Sequence, residues 1–328
     1  MLSLFRINKF FANILLLFYI AIAWSSIFFV QTSTEPSSGA YLFEKLLSGF
    51  EHNTLSCQLI AAFLVFLQAV FVNIIASRQR MTEEVTLIPG LTFILLSSIC
   101  VQFFGINPYL IANFFILLAL YEMFDSYNVY SCADKIYNIG LWIALAGLFC
   151  APYLFLIIFA WIGLGIQRAN KLKERVMLLA GYLSPFILIL TLMYWNDTLP
   201  EFYELQFGKN LDFLSFKAQD SIQLSFSLGF FILLLLIALF SLKTYNYRMK
   251  IKVQKIISIL FFLVLTSLLT LFFQHNIMLQ HLMVLIPALS FLISINFVRM
   301  PKHWAEIFHL FFLVAVVIWQ YLPLLNLF

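Results

Sequence analysis

Long apolar runs separated by short polar segments are the dominant pattern along this chain. A helix needs about 20 mostly apolar residues to cross the roughly 30 Å hydrocarbon core of a bilayer, and many of the runs approach or exceed that length. We therefore predict an all-α fold, a polytopic transmembrane helical bundle in which residues 1–328 form a single integral membrane domain. The predicted spans are residues 11–30, 55–76, 86–104, 109–124, 137–151, 153–166, 176–195, 222–242, 256–273, 278–298 and 306–326.

Composition points to the same class. Hydrophobic residues make up 63% of the chain and charged residues 10%, whereas about a quarter of the residues in soluble domains are charged. A soluble fold has too little interior to bury this much apolar surface, but a bundle surrounded by lipid has no such limit. The basic residues lie in short loops and form no solvated stripe, and no nucleic-acid-binding motif occurs, so nucleic acid is not an expected partner.

The number of spans depends on two segments, 86–124 and 137–166. The first contains the strong turn signal Gly105-Ile106-Asn107-Pro108, and the second is interrupted by Pro152. If each segment were one helix, the chain would have nine spans. Such helices would contain 30 or more residues at 1.5 Å each and would exceed the hydrocarbon core by about half. Eleven spans are therefore the prediction, with nine as the alternative.

Basic residues give the predicted orientation, because Lys and Arg concentrate on the cytoplasmic side of membrane proteins. With the N-terminus in the cytoplasm, all but three of the 19 Lys and Arg residues fall on that side, the exceptions being Lys45, Lys209 and Lys217. The C-terminus then lies outside, and the expected location is the inner (cytoplasmic) membrane. The first run continues past the signal-peptide-like Ala21-Ile22-Ala23 to Val30, so we interpret it as an uncleaved span.

Two outer loops are longer than the others and carry amphipathic patterns. In the loop 31–54, apolar residues recur at helical spacing between Leu42 and Phe50, with charged residues opposite. The loop 196–221 mixes acidic residues with aromatic ones. Both patterns predict short helices that lie on the outer leaflet of the membrane.

Polar residues near the C-terminal outer turn are the candidate binding residues. Gln274, His275 and Asn276 form this turn, and Gln280 and His281 follow within the next span. A histidine can carry charge near neutral pH, so the segment could bind a phosphate or sugar group. The alternative is that these residues contact lipid headgroups and water.

Other polar residues within spans predict hydrogen bonds between helices. The residues assigned to inter-helix hydrogen bonds are Gln68, Asn73, Gln102, Asn113 and Gln320.

No residue spacing typical of a metal, haem or phosphate-loop site occurs. We therefore expect no cofactor and no metal.

The whole chain resembles an uncharacterised family of bacterial multi-pass inner-membrane proteins, which supplies no activity. The segments that carry this likeness are Met1 to Arg6, Phe66 to Asn73, Asn107 to Asn113 and the hairpin Leu141 to Gly165.

More remotely, the layout is similar to the GT-C glycosyltransferase superfamily, integral enzymes that take sugars from polyprenyl-phosphate carriers. In both, a first span precedes an outer loop with a membrane-lying helix. Here the polar-capped run Asn113 to Met123 then leads into the short hairpin Gly140 to Ile166, and a late span opens with His281 to Pro287. The resemblance implies a catalytic aspartate in the first outer loop, which contains none. Glu35 is the nearest acid by position.

Three functional hypotheses follow, and whether the protein is an enzyme stays open. The first is a GT-C-like protein that handles a polyprenyl-linked sugar or lipid-linked glycan at the outer face, with or without catalysis. Its candidate catalytic residues are Glu35, His275 and His281. The second is a non-catalytic membrane subunit of a larger cell-envelope assembly or export complex, which would contact other membrane proteins. The third, a transporter or flippase, is less favoured because the spans lack buried charges and obvious repeats. Membrane lipids are partners in each case.

Overall fold

The structure, a computed structural model, describes residues 5, 10–29, 40–47, 55–82, 85–168, 171–208, 210–211, 222–241, 249–274 and 278–321. These residues form α-helices joined by short 3₁₀ segments. The α-helices are α1 (Phe10–Ala23), α2 (Tyr41–Leu47), α3 (Leu55–Arg78), α4 (Ile88–Ser97), α5 (Pro108–Asp125), α6 (Ala133–Phe149), α7 (Ile157–Gln167), α8 (Leu172–Trp195), α9 (Leu199–Tyr203), α10 (Ile222–Phe240), α11 (Ile251–Leu271), α12 (Ile286–Arg299) and α13 (Lys302–Tyr321).

Among the described residues, six helical segments are long and apolar enough to cross a bilayer. The prediction of an all-helical, multi-pass membrane protein is confirmed. The segments are α3, α5, α8, α11, α13 and Leu279–Arg299, in which the 3₁₀ helix Leu279–Leu285 continues into α12.

Several other predicted spans are shorter as α-helices than the apolar runs suggested. The run 11–30 is α-helical only through Ala23 and continues as the 3₁₀ turn Ser25–Phe28. Helix α4 has 10 residues, which rise about 15 Å, or half the hydrocarbon core. Apolar length therefore overestimated the α-helices here, because part of each run forms 3₁₀ turns or bends.

The two ambiguous segments both break where the sequence predicted. After α4 the chain passes through Gly105, whose φ of 154° favours glycine. Helix α5 then begins at Pro108, and the Asn107 side chain accepts a hydrogen bond from the Leu110 amide at 2.7 Å, which caps the helix N-terminus. In the second segment α6 ends at the extended residue Cys150, and a 3₁₀ helix containing Pro152 leads to α7. Neither 86–124 nor 137–166 is one continuous helix.

Ion pairs bring several helix ends together at one end of the bundle. The Arg78 guanidinium, at the end of α3, donates two hydrogen bonds of 3.1 Å to the carboxylate of Asp125, at the end of α5. Lys135, in the first turn of α6, contacts the same carboxylate. The chain that leaves α3 near Arg78 thus returns to the same end at Asp125, as a hairpin requires.

The ends of the neighbouring helices α7, α8 and α11 contact one another at the same end of the bundle. Arg168, after α7, pairs with Glu174 of α8 at 3.0 Å and donates to the backbone carbonyl of Ser126 at 2.9 Å. Lys255 of α11 donates to the Gln167 carbonyl at 3.4 Å. Lys252 and Lys255 both lie over the ring of Tyr127, which follows α5. We call this end of the bundle the basic rim, defined by Arg78, Lys135, Arg168, Lys252 and Lys255. Helix α6 starts at the rim and α7 returns to it, so residues 137–166 also form a hairpin.

Close packing and buried hydrogen bonds hold the helices together. A Cβ added to Gly181 of α8 would lie 2.0 Å from the Tyr137 carbonyl oxygen of α6, so only glycine permits this approach. Gln68 donates to the Leu110 carbonyl at 2.8 Å, and Asn73 accepts from the Gly90 amide at 2.6 Å. These contacts confirm the predicted inter-helix role of both side chains.

Candidate functional site

Residues 40–47 and 196–208, described parts of the two long polar loops, meet on the end of α6 that lies away from the basic rim. Helix α2, helix α9 and the π turn Glu204–Gly208 pack there, and we call these three elements the cap. The rings of Tyr41 and Phe202 are buried, lie edge to face at 5.2 Å and pack with Leu148. The predicted helix in each loop is confirmed within residues 40–47 and 196–208. Their position on the membrane surface stays a prediction.

Polar contacts join the two parts of the cap. Gln206 is fully buried; its Oε1 accepts from the Tyr41 amide at 3.2 Å and its Nε2 donates to the Gly147 carbonyl at 2.8 Å. On the surface, Lys45 Nζ lies 3.1 Å from Glu201 Oε1. The hydrogen bond to Glu201 raises the pKa of Lys45. One buried amide and one exposed ion pair therefore connect loops that are far apart in sequence.

A second group of polar side chains meets beside the turn that joins α6 to α7. The Tyr153 hydroxyl donates to Asn113 Oδ1 at 2.6 Å, and Asn113 Nδ2 donates to the Met283 carbonyl at 2.9 Å. These bonds tie α5, the α6–α7 turn and the 3₁₀ helix Leu279–Leu285 together. We call the group the His281 cluster; its members are Asn107, Tyr109, Asn113, Tyr153 and His281, together with Gln280, the buried residue that precedes His281 in the chain.

His281 is held in one defined orientation. Its Nδ1 accepts a hydrogen bond from the Met278 amide at 3.0 Å, so the neutral ring carries its proton on Nε2. The ring lies edge to face against Tyr109 at 5.0 Å. Gln280, the preceding residue in the chain, is 7% exposed, and its buried Oε1 has no hydrogen-bond partner among the described residues. These two consecutive residues therefore carry an imidazole N–H donor and an unsatisfied amide acceptor.

Of the three candidate catalytic residues, the structure places His281 only. Glu35 and His275 lie outside the described residues. The ion pairs in the described part of the chain lie at the cap or the basic rim. No carboxylate from that part hydrogen-bonds to the cluster, and no group of three or more His, Cys, Asp or Glu side chains there could hold a metal ion. The described side chains of the cluster are therefore uncharged hydrogen-bond donors and acceptors.

The chain was compared with protein-family models, curated proteins and solved structures, and none of them matches.

Two tyrosines of the cluster were not identified from the sequence. Tyr109 follows Asn107-Pro108, and Tyr153 follows Pro152, so each lies in the first turn of a helix at a predicted break. Both are buried. A tyrosine just after a helix-breaking proline in a membrane hairpin would have been a usable signal, because a buried hydroxyl needs a partner.

Proposed function

We propose that this protein is a GT-C-like inner-membrane protein of eleven spans that binds a polyprenyl-linked sugar or related lipid-linked glycan at the outer face. The N-terminus and the basic rim lie in the cytoplasm, and the C-terminus lies outside. The observation that carries the proposal is the His281 cluster, a buried polar group with an unsatisfied acceptor beside the turn that supports the cap.

The position of the cluster supports an outer-face site. Helix α6 has 17 residues and rises about 25 Å from the basic rim to the cap, which is close to the thickness of the hydrocarbon core. Basic residues favour the cytoplasmic side. The cap and the cluster beside the α6–α7 turn therefore belong at the outer boundary, where the headgroup of a lipid-linked sugar lies.

The chemistry of the cluster suits a sugar. Sugar hydroxyls both donate and accept hydrogen bonds, and His281 Nε2–H and Gln280 Oε1 offer one group of each kind. An unpaired buried acceptor costs about 1–3 kcal/mol, which a ligand hydroxyl would relieve. A catalytic version would in addition require Glu35 and His275 to act at this site.

Direct binding tests the proposal. Purified protein in nanodiscs of phosphatidylethanolamine and phosphatidylglycerol would receive polyprenyl-phosphate-linked glucose, and native mass spectrometry would measure retention. We expect His281→Ala to weaken retention about tenfold, the equivalent of one hydrogen bond of about 1.4 kcal/mol. His309→Ala is the control, because His309 is also buried but bonds to Tyr19 at 3.0 Å elsewhere in the bundle.

Equal retention by wild type and His281→Ala, or no retention above that of phospholipid, would contradict binding at this site. The catalytic version needs a separate readout. Combined substitution of Glu35, His275 and His281 should alter cell-envelope glycans, and unchanged glycans would rule that version out.

A non-catalytic subunit of a cell-envelope assembly is the second candidate. It is favoured by the neutral character of the His281 cluster, to which no described carboxylate hydrogen-bonds. Purification in a mild detergent separates the two candidates: a stoichiometric partner protein supports the subunit, whereas a monomer with retained lipid-linked sugar supports the first proposal.

A further inference from the structure

A cavity of about 500 Å³ lies between α10 and α13, apart from the His281 cluster. Helix α10 contributes a face on which Ser225, Gly229 and Leu233 are spaced by four residues, and α13 contributes Ala315 and Trp319 with the same spacing. We call this cavity the α10–α13 groove; its lining residues are Ile99, Ser225, Ser227, Gly229, Phe230, Leu233, Ala315, Val316 and Trp319.

The groove arises from the way α13 is attached. One side of α13 is bound to the first helical segment: His309 bonds to Tyr19 at 3.0 Å, and Gln320 accepts from Ser26 at 2.9 Å. Towards α10, the rings of Phe230 and Phe312 stack at 5.2 Å. Beyond this stacked pair the two helices leave a gap.

Glycine at position 229 keeps the gap open. A Cβ added to Gly229 would meet no heavy atom within 4 Å, whereas one added to Gly181 would meet a carbonyl oxygen at 2.0 Å. Close helix packing therefore explains Gly181 but not Gly229. A larger residue at 229 would project into empty space in the groove.

The lining determines what can enter. The walls are apolar except for two serines, and one of them, Ser227, already contacts Cys100 Sγ at 3.3 Å. A polar ligand would lose its hydrogen bonds to water and regain few. The surfaces of both helices outside the groove are also apolar, with Ile232 and Leu239 exposed on α10 and Leu310 on α13. A molecule entering from the side must therefore cross hydrocarbon.

We propose that the α10–α13 groove is a binding site for one acyl chain of a bilayer phospholipid. The cavity volume lies within the range of about 300–1,000 Å³ that is usual for small-molecule sites, and the surrounding bilayer supplies phospholipid at its open side. This site is independent of the sugar-binding role proposed for His281, since the two share no residue.

Photolabelling tests the groove. The full chain would be reconstituted in vesicles of phosphatidylethanolamine and phosphatidylglycerol that contain a phosphatidylethanolamine with a diazirine in one acyl chain. After irradiation, peptide mapping would compare labelling at Leu233 and Trp319 with labelling at Leu188, a residue of α8 that is 67% exposed and reports ordinary lipid contact.

We expect stronger labelling at Leu233 and Trp319 than at Leu188 in the wild type, and at least a fivefold decrease in Gly229→Phe. Ile232→Phe, at an exposed position of the same helix that does not line the groove, should label like the wild type. Equal labelling of the groove in Gly229→Phe and Ile232→Phe would overturn the proposal. So would wild-type labelling no stronger than at Leu188, or displacement of the probe by a trace of polyprenyl phosphate, which would assign the groove to an isoprenoid chain.

Discussion

The close approach of α6 and α8 gives a quantitative test of the packing that positions the cap. In Gly181→Ala, the new Cβ would lie 2.0 Å from the Tyr137 carbonyl oxygen, whereas ordinary contact begins at 3.4 Å. Both atoms are fixed to helix backbones, so rotation of a side chain cannot relieve the clash. The helices must separate by more than 1 Å, and overpacking of this kind costs about 1–3 kcal/mol. Gly140→Ala should act alike, since its Cβ would lie 2.2 Å from the Leu178 carbonyl.

Gly229→Ala is the matched control, because the same chemical change meets no atom within 4 Å. Alanine in a helix interior is favoured over glycine by about 1 kcal/mol, so this variant should be as stable as the wild type or more stable. Thermal unfolding in detergent, followed by fluorescence-detected size exclusion, measures both. Gly181→Ala should melt lower by roughly 2–4 °C per kcal/mol. A Gly181→Ala melting temperature equal to that of Gly229→Ala would refute the close packing.

Three further predictions concern the rim, the cap and the first helical segment. Asp125→Asn should lower the melting temperature because Arg78 and Lys135 lose their shared carboxylate; the partly exposed pairs should contribute about 1 kcal/mol, and less in 1 M NaCl than in 0.1 M. Gln206→Ala should increase tryptic cleavage at Lys45, because the buried Tyr41 amide and Gly147 carbonyl lose their partner at about 1–3 kcal/mol; cleavage at the wild-type rate would contradict this role. Gln320→Leu should cost more stability than Thr191→Val, since Gln320 bonds to Ser26 and to the carbonyls of Ala23 and Ser98, whereas Thr191 bonds only within its own exposed helix turn; equal melting temperatures would refute it.

The hairpin breaks could be predicted because their cause is local. Gly105 needs a positive φ, Pro108 is favoured in the first turn of a helix, and Asn107 is a favoured cap, so the sequence contains the whole turn. Polar residues inside apolar runs were informative in part. Asn113 and Gln320 each bond to another helical segment, as polar groups surrounded by lipid require, whereas the buried Gln102 Oε1 has no hydrogen-bond partner among the described residues.

The lengths of the shorter helices could not be read from hydropathy. An apolar run has the same hydropathy whether it is a helix, a 3₁₀ turn or a buried bend, so nothing in the run 86–104 indicated that α4 ends at Ser97. The His281 cluster was only partly predictable for a related reason. His281 was identified from its position, but its contact with Tyr109 depends on the packing of two separate segments, which no local pattern encodes.

The turn from Gly147 to Tyr153 connects the cap with the His281 cluster. Its first part accepts hydrogen bonds from the cap, through Gln206 at the Gly147 carbonyl and through the Ala40 amide at Phe149. Its last residue, Tyr153, donates to Asn113 in the cluster. A shift of the cap would therefore move the backbone that places the Tyr153 hydroxyl. Asn113 also donates to the carbonyl of Met283, two residues after His281, so a continuous series of hydrogen bonds connects the cap with the 3₁₀ helix that carries the histidine.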